Sequence, residues 1–330
     1  MTVSCGNNTG VVKLTNGEKV LGISFVAANE RVTKEDIAPI KALGATWVCL
    51  MPYGFIRKTD NVVHYNSPWQ WWGETDAGIK ETSRLAKARG LKVMLKPQVW
   101  FKHGNYTGDF VPSVSVKIEF EKSFTSFVLH YAELAKKVEA DLFCIGTEWH
   151  KFVDSDPKFW QQLILKVKNI YIGKLTYAAN WDEYKTVPFW QEMDYIGINA
   201  YFPLSDKDYP SLDDLQESWQ PWLKEMGSVA ESVGKPILFT EYGYRSTVKN
   251  TSKPWESYTK AVVSLENQSV AYQALYSEFW HQPWFAGGFA WKWFHNHKER
   301  GGREHIGYSP QNKPAEKVIY EQYGQQAWDK

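Results

Sequence analysis

Two glutamates stand where a chain could do chemistry: Glu148 in DLFCIGTEWH (141–150) and Glu241 in PILFTEYGY (236–244). Each follows a short unbroken apolar run, Leu142 to Ile145 and Ile237 to Phe239. Such runs read as strands buried on both faces, as in parallel sheets. Each carboxylate then falls at the carboxyl end of its strand, the end at which α/β barrels carry their reacting groups. Two carboxyls at one mouth can divide the work. One kept protonated donates to a leaving oxygen while the other, kept ionised, attacks carbon, and this is the pair that cleavage of a glycosidic bond needs. Their separation sets the outcome, ~5–5.5 Å for retention and ~6.5 Å or more for inversion.

The elements that must position them can be followed along the chain. Val20–Val26 is a short apolar strand, and Thr33 with Asp36 opens a helix in capping-box fashion before Ile37, Ile40 and Leu43. Thr46–Met51 is a second strand, followed by a long ring-rich loop, 52–73, and a helix over Glu74–Arg89 ended by Gly90. Loops of that length in a compact chain are usually functional. Lys92–Val99 reads as the third strand, with a further aromatic loop over Trp100–Phe110 and a long amphipathic helix over Val116–Glu139. The Glu148 strand is fourth, and the next helix begins at Pro157, a favoured first-turn residue. Leu175–Ala179 is fifth, ending in Asn180 and Trp181, and the connection after it is too short for more than a brief helix. Met193–Ala200 is sixth and ends in Tyr201; the helix Leu212–Val233 leads to the Glu241 strand as seventh, and Gly287–Trp293 is eighth. This alternation predicts a single (β/α)8 barrel over 20–330 after a flexible leader, 1–19, with strands four and seven facing each other across one mouth. A doubly wound open sheet is the alternative; neither GxGxxG nor GxxxxGK[ST] follows any strand to support it.

Composition narrows the partner. Lys plus Arg number 38 against 37 for Asp plus Glu, a net charge of +1, so no overall field favours nucleic acid or an anionic membrane. The 17 Trp, 18 Tyr and 17 Phe exceed what a core needs, and many lie in loops, where flat faces suit stacking on sugar rings. Cys49 and Cys144 fall in apolar runs and read as small buried hydrophobes. Cys5, in VSCGNN, resembles the residues around the lipid-modified cysteine of a bacterial lipoprotein; a lipid anchor there would mean a secreted or cell-envelope location, against the alternative of a plain terminus. No apolar stretch approaches the ~18 residues of a membrane span. His295 and His297 form an HxH that invites a metal, yet amidohydrolase-type sites carry HxH on the first strand and GISF has none, so neither a metal nor a cofactor is expected. His150 reads as orienting a neighbour, and a serine triad lacks its GxSxG elbow.

The runs GISF, CIGTEW, FTEYGY and GYSPQNKPAEKV together resemble the retaining glycosidases of clan GH-A, and most of all glycoside hydrolase family 113, whose characterised members are endo-β-1,4-mannanases. The likeness extends over nearly the whole chain from Val20. It implies Glu148 as acid/base, Glu241 as nucleophile, Tyr201 as a hydrogen-bond partner of the nucleophile, and Trp291 as the floor of the sugar subsite where cleavage occurs. It implies a β-mannan or manno-oligosaccharide substrate hydrolysed by double displacement without a cofactor. Another β-glycanase of the clan, acting on glucan, xylan or galactan, is the alternative, and a non-catalytic sugar-binding barrel a more distant one. One departure stands out: most clan members place Asn before the acid/base, and here that position is Thr147. Asn180 is then a candidate for the sugar 2-hydroxyl, or a turn residue. Lys96 and Gln98, two apart and so on one face, would either pair with a carboxylate or bind a sugar hydroxyl. Trp69, Trp71, Trp72, Trp100 and Trp181 are candidate stacking platforms, with alternation in WQWW leaving some to pack the loop.

Overall fold

The computed structural model describes residues 18–57, 60–101, 104–256 and 260–328. Cys5 and most of the expected leader lie outside them. Eight parallel strands close into a barrel: β1 Val20–Phe25, β2 Trp47–Leu50, β3 Lys92–Leu95, β4 Leu142–Thr147, β5 Lys174–Asn180, β6 Tyr195–Asn199, β7 Ile237–Tyr242 and β8 Phe285–Trp293. Neighbours in sequence are neighbours in space, and β1 closes on β8 with Val20 opposite Gly287. Gly287 is required there: its φ is +98°, and a Cβ would lie 2.3 Å from the Val20 carbonyl oxygen.

Helices follow seven of the strands, from Lys34–Ala42 after β1 to Pro314–Trp328 after β8, while β5 is followed only by a 3₁₀ turn, Trp190–Glu192. Their starts are written in the sequence. Asp36 Oδ2 accepts from the Thr33 amide at 2.8 Å, Asp156 Oδ1 accepts from the Phe159 amide at 3.0 Å ahead of Pro157, and Gly234 ends Leu212–Val233 at φ +70°. Residues alternating along each strand divide the apolar content in two. Ile23, Val48, Val93, Ile145 and Ile198 pack outward against the helices, and Trp47, Cys49, Met94, Leu142, Leu238 and Phe289 fill the barrel. Trp47 and Phe289 meet edge to face, 6.2 Å between centroids, as the floor beneath the mouth.

The expected third strand, Lys92–Val99, is two strands. Pro97 has no amide to give to a ladder, and the chain bends there, leaving β3 in the barrel and starting a new strand, Gln98–Phe101. This strand pairs in parallel with Tyr53–Ile56, which pairs antiparallel with Val63–His64. The long ring-rich loop therefore supplies two strands of a three-stranded sheet standing on the rim, and Gln98–Phe101 supplies the third. With Tyr53 opposite Gln98 and Phe55 opposite Trp100, those four side chains share its open face, while Gly54, Ile56, Val99 and Phe101 are buried beneath. Among the described residues no helix is long and apolar enough to cross a membrane.

Candidate active site

Glu241, near the end of β7, is 5% exposed and receives three donors. Lys96 Nζ and Gln98 Nε2, the latter at 3.0 Å, donate to Oε1, and the Tyr201 hydroxyl donates to Oε2 at 2.7 Å. Lys96 and Gln98, two apart on either side of Pro97, thus meet on one oxygen. Lys96 is fully buried; burial alone would lower its pKa, but the Glu241 carboxylate opposite holds it above the ordinary value. This corrects a sugar-binding role for Lys96, since an ammonium with no exposed surface cannot meet a ligand. Burial, reinforced by the Glu241 charge, pushes the Tyr201 phenol well up, so it stays a donor. A carboxylate facing an ammonium, an amide and a phenol is met as an anion.

Glu148 is treated differently. It is half-buried just beyond β4, has a positive φ of 55°, and accepts one hydrogen bond, from Asn199 Nδ2 at 2.9 Å. Asn199 ends β6, and its Oδ1 accepts from Thr240 Oγ1 at 2.9 Å, so the residue before Glu241 fixes the amide that meets Glu148. Burial, and then the Glu241 charge, push Glu148 up to about 7. The two glutamates are thus coupled through space, and one is held far more loosely than the other.

A cavity of about 210 Å³ opens beside Glu148, lined by Gln98, Trp100, Tyr106 and Thr147 among others. It shares Tyr53 and Trp100 with a wider cleft of about 530 Å³ lined by Phe55, Trp69, Gln70, Trp71 and Glu74. With Tyr53 and Trp100 lining both, the two hollows form a furrow that adjoins Glu148 and follows the rim sheet. Trp69, Trp71 and Trp100 are each at least half exposed in it, at 60, 50 and 55%. Glu74, only 8% exposed and raised by burial, forms its polar base with Gln70, whose Nε2 donates to Glu74 Oε2 at 3.0 Å.

Other expected site residues fall as follows. Trp291 lies beside the pair with Lys96 Nζ 5.8 Å from its ring centre, and the peptide joining it to Lys292 is cis. Trp181 stacks on Trp255 at 5.3 Å and 17° on a separate wall. Trp72 is corrected: the 3₁₀ turn Trp72–Glu74 rotates its ring inward against the core, while Trp69 and Trp71 face out. Asn180 donates from Nδ2 to Asp182 Oδ1 at 3.0 Å within the turn after β5, the turn contact that was one of its two expected roles. Thr147 Oγ1 is buried next to Glu148, without an oxygen or nitrogen hydrogen-bond partner among the described residues. The HxH histidines pair separately, His295 with Glu30 and His297 with Glu316, and no group of three or more metal-capable side chains occurs among the described residues.

Sequence reasoning missed Asn199, Gln70, Glu74 and Glu183. Asn199 ends an apolar run just as Glu148 and Glu241 do, and that signal could have found it. Glu183 follows Asp182 in a polar turn and carries none, yet it is 1% exposed, with burial pushing it up to about 8.

Comparison with known proteins bears on this arrangement. The model of Glycoside Hydrolase Family 113 matches residues 27–313. A GH113 β-mannanase from Alicyclobacillus acidocaldarius superposes with a TM-score of 0.80 at 26% identity, covering 94% of this chain and 98% of that one. A GH113 β-1,4-mannanase follows at 0.78 and 22%, covering 93% and 99%. A β-glucuronidase from Ruminococcus gnavus matches at 0.58 and 14%, covering 93% of this chain and 49% of that one. The last two likenesses show the fold alone. No curated protein sequence matched.

Proposed function

Because the chain belongs to glycoside hydrolase family 113 and is a glycoside hydrolase, we propose that it is a retaining endo-β-1,4-mannanase with Glu148 as acid/base and Glu241 as nucleophile. The observation that carries this reading is the opposite treatment of the two carboxyls. Glu241 is fixed by an ammonium, an amide and a phenol, as a nucleophile that must be anionic and aimed requires. Glu148, pushed up to about 7 and held by one amide, keeps a proton to give at neutral pH. Glu148 donates that proton to the glycosidic oxygen as a Glu241 oxygen bonds to the anomeric carbon and the leaving sugar departs. Water, losing a proton to Glu148, then displaces Glu241 with net retention. No cofactor enters.

Mannan as substrate is supported by the β-mannanase relative at 26% identity, and action within a chain by the ring-lined furrow beside Glu148, in which Trp100, Trp69 and Trp71 are exposed for further sugars to stack on. The test is reducing-sugar release from β-1,4-mannan beside β-glucan and xylan, with proton NMR of the first anomer formed. Release from mannan alone, β-anomer first and abolished in Glu241→Ala, is expected. Release from another glycan moves the substrate and leaves the mechanism, and an α-anomer first refutes retention.

A further inference from the structure

Glu148 adopts a backbone conformation that non-glycine residues seldom take, φ +55°, so something must hold it. Two adjacent amides do, both against β5. The Glu148 N–H donates to the Ala178 carbonyl at 2.8 Å, and the Trp149 N–H donates to the Tyr177 hydroxyl at 2.6 Å. The second is the unusual one, because a rotatable hydroxyl stands where a ladder carbonyl would. A phenol has a single proton, and committing that proton elsewhere keeps a lone pair turned to the amide. Tyr177, itself fully buried, donates it to Glu183 Oε1 at 3.3 Å.

Glu183 is a costly residue to place there. It is 1% exposed, its Oε2 has no hydrogen-bond partner among the described residues, and the imidazole Nδ1 of His150 stands 3.9 Å away. A buried carboxyl oxygen without a hydrogen bond is unfavourable for stability, which argues for a role other than stability. The turn after β5 fixes it in place, its amide donating to the Asn180 carbonyl at 3.1 Å.

We propose that Glu183 is a positioning residue for Glu148, acting through the Tyr177 hydroxyl and the Trp149 amide to hold the acid/base in its bent conformation. The proposal rests on the reading of Glu148 as acid/base. Since burial keeps Glu183 neutral at pH 7, an amide is its faithful replacement, and glutamine should serve where alanine does not.

The test compares kcat/KM at pH 6 for mannohexaose, whose leaving sugar needs a proton, with 2,4-dinitrophenyl β-mannobioside, whose leaving phenolate does not. Glu148→Ala sets the scale, losing most on mannohexaose. Glu183→Ala and Tyr177→Phe are expected to lose about 10- to 100-fold on mannohexaose and under about threefold on the aryl mannobioside, with Glu183→Gln within about threefold of wild type on both. Equal losses on the two substrates, or no loss on mannohexaose, overturn the proposal. Should Glu183→Ala fail to fold, the Tyr177→Phe and Glu183→Gln pair decides by the same ratio. If wild type cleaves neither substrate, or Glu148→Ala shows no leaving-group selectivity, the acid/base reading itself falls and takes this one with it.

Discussion

Glu241 and Glu148 occupy comparable places, each at the carboxyl end of a buried strand, and the barrel treats them in opposite ways. Around Glu241 the interior supplies everything: the side chain is buried, and Lys96, Gln98 and Tyr201 fix both oxygens. Around Glu148 the rim supplies little: one amide, a bent backbone and an adjoining cavity. A group that must remain charged and aimed can be locked. A group that must gain and lose a proton in each cycle needs a pKa near the working pH and an oxygen left open to its partner, and heavy hydrogen bonding would deny it both.

The most severe way to break this comparison is Glu241→Ala, for which turnover of mannan should fall by at least about 10⁴-fold. Azide should restore cleavage of an aryl mannobioside and yield the α-mannosyl azide, since the anion would fill the space of the missing carboxylate; a β-azide would reverse the two assignments. Glu148→Ala should cost about 10²- to 10⁴-fold on mannan and respond to azide with the β-product. The wild-type pH profile sharpens the same point. If Glu148 is the acid of the proposed mechanism, kcat/KM should hold below its pKa and decline as pH rises through about 7; a profile flat to pH 9 would contradict it.

Lys96→Met tests the locked side. It leaves a buried carboxylate without its ammonium, a loss of about 3–5 kcal/mol, measurable as a lower midpoint in denaturant unfolding, whereas Asn199→Ala beside Glu148 should change stability far less. Equal effects would mean that the two sites are not built differently. The smallest effect is expected in the furrow. Trp69→Ala should raise KM for mannan about fivefold through a lost stacking contact of about 1 kcal/mol and leave mannobiose-length aryl substrates unchanged.

The barrel and the glutamate pair were legible because both are written in local pattern: apolar runs of strand length, caps such as Thr33 with Asp36, and a carboxylate where each run stops. Pro97 was equally visible between Lys96 and Gln98, and its missing amide should have ended the third strand before Val99. Trp69, Trp71 and Trp72 show a different limit. Their types are alike, and only the turn at Gly73, whose amide donates to the Ala28 carbonyl at 2.8 Å, decides which rings face out. Glu183 lay beyond reach for a further reason. Its burial arises from how the turn after β5 folds back on Tyr177, an irregular fit that leaves no periodic trace. Lys96 was correctly suspected of needing a carboxylate, but pairing it with Glu241 required knowing that the ends of β3 and β7 meet across the barrel.

The bend at Pro97 has one more consequence. The strand carrying Trp100 is the direct continuation of β3, so the wall of the furrow is anchored in the barrel rather than hung on a free loop. A polysaccharide docking there meets a surface already in place. Little conformational entropy then remains to be lost on the protein side, and stacking energy can appear as affinity instead of being consumed in ordering the receptor. Calorimetry of mannohexaose binding to Glu241→Ala should accordingly show a small entropic penalty.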